Sequence, residues 1–113
     1  MLIVDDHPLF RKGLRELVGA DPRFEVLDET GDGAAALDVI LRRKPDVAIL
    51  DVNLPALSGL EVARRIQGKN LPTRVVMLTM HNEEEMFNRA LDFGVMGFVL
   101  KENTAQEIMA CGQ

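Results

Sequence analysis

The segment Val47-Ala48-Ile49-Leu50-Asp51 decides the fold, because four consecutive apolar residues end on an acid. A short unbroken apolar run is typical of a strand buried on both faces, as in a parallel sheet covered by helices. Similar runs occur elsewhere in the chain, at residues 2–4, 24–27, 75–78 and 98–100. We therefore predict five strands, with the strand at 47–50 near the centre of the sheet.

Helical spacing separates the first three runs. The first predicted helix has an apolar stripe at i, i+4, i+7 and i+8, formed by Phe10, Leu14, Leu17 and Val18. Charged residues such as Arg11 fall on the other face and are expected in solvent. The second helix is predicted to begin at Asp32, a suitable N-cap, and to end before Pro45.

Three further helices follow the same alternation. Ser58 precedes the third and has Glu61 three residues later, the spacing of a capping box. The fourth, at about residues 83–93, opens with three glutamates and is expected to stop at Gly94. A fifth is predicted to begin near residue 103. Alternating strands and helices joined by right-handed crossovers give an α/β fold with a doubly wound, five-stranded parallel sheet.

Composition excludes several classes of protein. A chain of 113 residues fits one domain, and a net charge of −5 argues against direct binding to nucleic acid. A single cysteine excludes an internal disulfide. No apolar run is long enough to span a bilayer, and acids at positions 5 and 6 interrupt any signal peptide. We expect a cytoplasmic protein with no membrane partner.

Polar residues follow the predicted strands. Asp5 and Asp6 come after the first strand, Asp51 after the third, Thr79 after the fourth and Lys101 after the fifth. Ligands of doubly wound sheets bind beyond the carboxyl ends of the strands, so these side chains are expected at one edge. Clustered carboxylates repel each other, and Mg²⁺, which prefers oxygen ligands, would relieve the repulsion.

Asp51 is the expected nucleophile of this cluster. A loop at residues 52–58 follows it and is expected to leave its carboxylate reachable. A carboxylate can form an acyl phosphate, with a lysine and a threonine hydroxyl available to bind the transferred group. Other interpretations remain open, since a single aspartate after a strand is commonly a turn or cap residue. His7 could bind the metal, but a loop or cap role is the more common one for such a residue.

The residues at the strand ends and their neighbours resemble bacterial receiver domains along the whole chain. The matching segments are IVDDHPL at 3–9, LDVNLPALSGLE at 50–61, LTM at 78–80 and GFVLK at 97–101. The segments at 5–14 and 90–108 are similar to the NarL/FixJ (LuxR-type) class, whose members join a receiver to a C-terminal helix-turn-helix domain. The resemblance implies a flavodoxin-like receiver fold with strand order 2-1-3-4-5.

The resemblance also implies a function. It predicts a switch of a two-component system, phosphorylated by a histidine kinase, that dimerises with itself and controls transcription. Residues 1–113 would form one receiver domain, and DNA would be bound only through a C-terminal domain that the fragment lacks. The chain would be no enzyme beyond its own phosphorylation and dephosphorylation.

Site roles follow from the same resemblance. Asp51 corresponds to the phosphorylated aspartate. Asp5 and Asp6 correspond to the acidic pair that binds Mg²⁺, one directly and one through water. The main-chain carbonyl of Asn53 corresponds to a further ligand of the metal.

The switch residues match as well. Thr79 corresponds to the switch hydroxyl, Lys101 to the lysine that pairs with the phosphoryl group, and Phe98 to the aromatic that moves inward. Asn53 and His81 match positions that tune dephosphorylation. The chain departs from many receivers in having Glu102 rather than proline after the lysine, so a trans peptide bond is expected there.

Two alternatives belong to other classes of protein. An aspartate-nucleophile phosphatase or phosphotransferase typically needs an Asp-x-Asp arrangement after the first strand and a cap over its site. This chain has adjacent acids and short loops. A degenerate receiver that only binds proteins would not need the complete set of acids with a threonine and a lysine.

Overall fold

Five parallel strands and four helices form the computed structural model, which describes residues 1–22, 24–79 and 84–101. The elements are β1 (Leu2–Val4), α1 (Pro8–Gly19), β2 (Asp28–Thr30), α2 (Gly33–Arg43), β3 (Val47–Asp51), α3 (Gly59–Gly68), β4 (Arg74–Thr79), α4 (Glu84–Asp92) and β5 (Val95–Leu100). The strand order is β2-β1-β3-β4-β5, and every neighbouring pair is parallel. The predicted fold class and strand order are confirmed.

Strand register brings the carboxyl ends of the strands to one edge. Val4 of β1 lies opposite Leu50 of β3, so Asp5 and Asp51 leave the sheet side by side. Thr79, the last residue of β4, lies opposite Leu100 of β5, and Lys101 follows directly. The polar residues of four different sequence segments therefore converge because parallel strands all end on the same side.

The second strand does not lie where its apolar run predicted. Residues 24–27 precede β2, and the strand itself is the polar segment at 28–30. The main chain of 25–27 runs beside Met1, whose carbonyl accepts a hydrogen bond from Leu27 N at 2.9 Å. Residues 2–4 consequently pair with 28–30. An edge strand that is only half-buried can be polar. The apolar run therefore lies just before the strand and is not the strand itself.

The helix boundaries follow the predicted caps. The Asp32 side chain accepts a hydrogen bond from Ala35 N at 2.6 Å, and the Ser58 side chain accepts one from Glu61 N at 3.2 Å. Helix α4 is followed by Gly94, whose φ of 76° lies in the left-handed region that favours glycine. These local predictions succeeded because each depends on hydrogen bonds within a few residues.

The core divides between the two faces of the sheet. Leu2 and Val4 pack with α2 and α3, whereas Ile3 packs with Leu14 of α1 on the opposite face. The alternation follows from the two-residue period of a strand. Helices on both faces bury β1, β3 and β4, and the site is left to form at the carboxyl edge.

Some predictions lie outside the described residues. They are the fifth helix, the trans bond between Lys101 and Glu102, and the position of His81. Within the segments that are described, no helix has the length and apolar character needed to cross a bilayer.

Candidate functional site at the carboxyl edge

Lys101 lies between two buried carboxylates. Its Nζ donates a hydrogen bond to Asp51 Oδ2 at 2.8 Å. It is also 2.8 Å from Asp5 Oδ2, an ion-pair contact whose angles fall outside hydrogen-bond geometry. Asp5 is fully buried and Lys101 is only 5% exposed. Three charged groups at the carboxyl ends of β1, β3 and β5 thus form one buried cluster.

The charge of Lys101 is stabilised by its partners. Burial is the largest single influence on its pKa and lowers it, but the contacts with Asp5 and Asp51 together outweigh burial, and the pKa is raised above its ordinary value. Phe10 adds to this environment, because Nζ lies 4.8 Å from the centre of its ring. The ammonium therefore remains charged although it is shielded from water.

Both oxygens of the Asp51 carboxylate have hydrogen-bond partners. Oδ1 accepts a bond from the main-chain N of Asn53 at 3.0 Å, and Oδ2 accepts the bond from Lys101. Asp51 is 2% exposed. The expectation that the following loop leaves Asp51 reachable is wrong in this conformation, because the residue is almost fully shielded from solvent. The acceptor carboxylate is therefore held by two hydrogen bonds and largely shielded from solvent.

A close approach of α3 fixes the main chain at Asp51. Gly59 N donates to the Val52 carbonyl at 2.9 Å. A Cβ at position 59 would lie 2.3 Å from the Asp51 carbonyl oxygen, so a larger residue would displace the main chain that holds Asp51. Glycine at the first position of α3 is therefore part of the site's construction.

Asp6 and His7 form the solvent-facing side of the cluster. The Asp6 side chain is 38% exposed, and its Oδ1 lies 3.1 Å from His7 Nδ1. The same nitrogen lies 3.2 Å from Asp5 Oδ1. The main-chain N of His7 donates to Asp5 Oδ1 at 2.7 Å, which orients the buried carboxylate. His7 is the N-cap residue of α1, but its side chain does not cap the helix.

The donor set suits a divalent cation. Asp5, Asp6, His7 and Asp51 each offer one ligand atom, and the four atoms lie within 4.8 Å of one another. Asp5 Oδ2 is buried and accepts no hydrogen bond. A buried, incompletely satisfied carboxylate oxygen beside other carboxylates fits the oxygen preference of Mg²⁺.

Thr79 and Phe98 occupy the neighbouring strands. Thr79 is buried at the end of β4, one residue beyond Leu78, which lies opposite Asp51. Phe98 is half-buried on β5 and packs against the core shared with α2 and α3. The structure thus places the two predicted switch residues on β4 and β5, which pair with each other on one side of β3.

Comparison with known proteins decides the family. The response regulator receiver domain family matches residues 1–111. The chain belongs to this family. Receivers of the NarL type are phosphorylation-activated signalling switches of two-component systems, and neither alternative function is favoured.

Several named relatives resemble this receiver. A probable transcriptional regulatory protein NarL of Mycobacterium tuberculosis is 40% identical over 109 residues, which are 96% of this chain and 50% of that protein. The nitrate/nitrite response regulator protein NarP of Escherichia coli is 35% identical over 96% of this chain and 51% of its own. The chain spans about half the length of the curated relatives it matches.

Solved structures agree with this assignment. The signal receiver domain of the putative response regulator NarL from Mycobacterium tuberculosis has a TM-score of 0.86 and 37% identity, with coverage of 97% of this chain and 92% of that one. A LuxR-family DNA-binding response regulator from Staphylococcus aureus has a TM-score of 0.84 and 30% identity over 95% and 96% of the two chains. The receiver fold is therefore shown by sequence and structure together.

Sequence reasoning missed one residue that supports the receiver site. Arg11 was expected in solvent, but its side chain is 22% exposed. Nη1 donates to the Asp5 carbonyl at 2.9 Å, and Nε donates to Glu29 Oε1 at 3.1 Å. The side chain links α1 to the ends of β1 and β2. The helical position of Arg11 did not predict these hydrogen bonds, because helical periodicity does not indicate partners that lie on other elements.

Proposed function

We propose that this receiver accepts a phosphoryl group on Asp51 and uses Lys101 to convert that charge into a conformational change. The observation that carries the proposal is the buried ammonium between Asp5 and Asp51, 2.8 Å from an oxygen of each. A buried cation positioned against the acceptor can stabilise the negative charge of a transferred phosphoryl group.

Phosphoryl transfer forms one bond to phosphorus and breaks another. One oxygen of the Asp51 carboxylate forms a bond to phosphorus. The bond from phosphorus to a histidine nitrogen of a kinase, or to an acetate oxygen of acetyl phosphate, breaks, and the leaving group retains the electron pair. The product is an acyl phosphate on Asp51.

Mg²⁺ would be held by the carboxylates of Asp5, Asp6 and Asp51 and by the main-chain carbonyl of Asn53. When bound, it supplies positive charge that neutralises the phosphoryl oxygens. The Asn53 main-chain N keeps one oxygen of Asp51 oriented by its hydrogen bond. The buried carboxylate of Asp5 also contacts Lys101, whose Nζ lies 2.8 Å from Oδ2.

Phosphorylation would then change the partners of the switch residues. Lys101 gives up its bond to Asp51 Oδ2 and pairs with a phosphoryl oxygen, and the Thr79 hydroxyl turns to donate to another. The space left by Thr79 is filled by Phe98, so a new charge becomes a change in packing on β5. The change is a shift between two packings of the same chain. Asn53 and His81 would tune the lifetime of the phosphoryl group.

The partners follow from this role. We propose that this receiver is cytoplasmic, that a histidine kinase is its phosphoryl donor, and that a second copy of the receiver is its partner after phosphorylation. In a longer protein that also has a helix-turn-helix domain, the altered face would control DNA binding by that domain. The receiver would perform its own phosphorylation and dephosphorylation and no other turnover.

Intact mass spectrometry after incubation with Mg²⁺ and acetyl phosphate tests the proposal. The wild-type chain is expected to gain one phosphoryl group, and Asp51→Asn is expected to gain none. Asp46→Asn is a matched control, because Asp46 is an exposed aspartate just before β3, at the other end of the same strand. Phosphate gain that survives Asp51→Asn, or turnover of an added phosphoester, would contradict the proposal.

A further inference from the structure

We propose that His7 gives the metal site of this receiver a nitrogen ligand. The site would then bind late first-row divalent ions such as Ni²⁺ and Co²⁺ more tightly, relative to Mg²⁺, than oxygen ligands alone allow. The inference rests on the proposed function, because it assumes that the Asp5, Asp6 and Asp51 carboxylates hold a divalent ion.

The positions of three potential ligand atoms support this role. His7 Nδ1 lies 3.2 Å from Asp5 Oδ1 and 3.1 Å from Asp6 Oδ1. Adjacent ligands of an octahedral ion with bonds of about 2.1 Å are about 3 Å apart, a separation that follows from the right angle between them. The imidazole nitrogen therefore already lies at the spacing of a neighbouring ligand.

Neither protonation of the His7 ring at Nδ1 nor its absence satisfies all the neighbours of that nitrogen. If Nδ1 has a hydrogen, it can donate to Asp5 or Asp6, but it then faces the Lys101 ammonium at 3.3 Å. If Nδ1 has none, it can accept from Lys101, but its lone pair lies against two carboxylate oxygens. A divalent cation among these atoms removes the repulsion between the lone pair and the carboxylate oxygens, because the nitrogen and both carboxylates then share one positive partner. Lys101 does not depend on the His7 lone pair, since its Nζ donates to Asp51 Oδ2.

The chemistry of imidazole gives the direction of the preference. Mg²⁺ favours oxygen ligands and retains several waters, whereas imidazole suits nickel, copper and zinc. Affinities for nitrogen and oxygen donors rise from Mn²⁺ through Co²⁺ and Ni²⁺. Loss of His7 should therefore weaken Ni²⁺ and Co²⁺ binding much more than Mg²⁺ binding.

Replacement of His7 by alanine removes the Nδ1 contacts with Asp5, Asp6 and Lys101 but leaves the start of α1 in place. Its side chain is 67% exposed and makes no helix-capping bond. The main-chain N of His7 donates to Asp5 Oδ1 and its main-chain carbonyl accepts from Arg11 N, and an alanine retains both bonds. His7→Ala thus removes the ligand while preserving the helix start.

The test is isothermal titration of untagged, metal-free protein with Ni²⁺ and, separately, with Mg²⁺. All variants have the Cys111→Ser substitution, because the single thiol of the chain could also bind Ni²⁺. The variants are His7→Ala and, as a matched control, His81→Gln, which removes the only other histidine. Equilibrium unfolding without metal verifies that each variant is folded.

We expect His7→Ala to weaken Ni²⁺ binding at least about tenfold, since even indirect partners of a metal ligand are typically worth about 10- to 100-fold. Mg²⁺ affinity should hardly change, and His81→Gln should leave both affinities near the wild-type values. In Co²⁺-loaded wild type, the His7 ring protons should show large paramagnetic shifts. Equal loss of Ni²⁺ and Mg²⁺ affinity, or unchanged Ni²⁺ affinity, would overturn the inference.

Phosphorylation separates this inference from the proposed function. If His7→Ala is still phosphorylated with Mg²⁺ but its Ni²⁺ affinity equals that of wild type, only the role of His7 is wrong. If wild type binds no Mg²⁺ and accepts no phosphate, the proposed function is wrong, whereas Ni²⁺ binding that depends on His7 would still support the nitrogen ligand.

Discussion

Replacement of Lys101 by methionine should destabilise the folded protein strongly. Methionine keeps an unbranched chain of similar length beside the Phe10 ring, so the main change is the loss of charge. In the variant, the carboxylates of Asp5 and Asp51 stay buried without the ammonium that lies 2.8 Å from each. The two acids then repel each other in a site that excludes water.

The expected size follows from these contacts. Each ion pair at 2.8 Å contributes about 6 kcal/mol at an effective dielectric constant of about 20, and desolvation of the charges offsets much of this. Removing one partner of a buried pair typically costs about 3–5 kcal/mol. For 113 residues with an unfolding entropy of about 2.1 cal/mol/K each, Tm should fall by about 13–21 °C.

Thermal and urea unfolding in EDTA measure this loss, with Lys69→Met as a control because Lys69 is an exposed lysine just after α3. Added Mg²⁺ should raise the Tm of Lys101→Met more than that of wild type, because the ion replaces the missing positive charge. If Lys101→Met melts within about 4 °C of wild type in EDTA, roughly 1 kcal/mol, the ammonium does not hold the two acids together.

Three further perturbations test the site and its supports. Gly59→Ala should destabilise the fold by about 1–3 kcal/mol and slow phosphorylation, because the new Cβ meets the Asp51 carbonyl. Gly68→Ala in the same helix should be tolerated, because no atom lies within contact distance of its Cβ. Urea unfolding of the two variants compares their stabilities. Ser58→Ala should lower the unfolding free energy by about 1 kcal/mol through loss of the N-cap hydrogen bond, whereas Ser58→Asp should retain the stability of wild type. Equal stability of wild type and both variants would count against a role for the cap. The raised pKa of Lys101 means that its contribution to stability is complete below its unfolded pKa of about 10.4 and is lost as pH rises through the higher folded value. Urea unfolding at pH 8 to 11 should therefore show a difference in unfolding free energy between wild type and Lys101→Met that narrows only above about pH 10.4. A difference that stays constant over this range would refute the argument.

The sequence predicted the elements that depend on local signals. The Asp32 and Ser58 caps and the stop at Gly94 were confirmed, since each depends on hydrogen bonds or backbone conformation within one turn. The apolar runs also predicted the interior strands correctly. The edge strand β2 was misplaced because its position depends on its pairing with β1, and a half-buried edge strand needs no apolar run.

The candidate site could be predicted in composition but not in geometry. Asp5, Asp51 and Lys101 follow their strands in the sequence, and the parallel topology brings them to one edge. The sequence could not show that Lys101 donates a hydrogen bond to Asp51, nor that Arg11 donates one to the Asp5 carbonyl. Those contacts join residues from separate segments, and helical or strand periodicity contains no information about them.

The sequence by itself determined the fold class and which residues gather at the carboxyl edge, because apolar periodicity and strand polarity are properties of the chain order. Only the tertiary structure decided how charge is arranged there. Side-chain distances between Lys101 and its two acids, and between Lys101 and His7, depend on how separate segments pack. The sequence thus places Asp51 at the end of a strand, and packing buries its carboxylate and pairs it with Lys101.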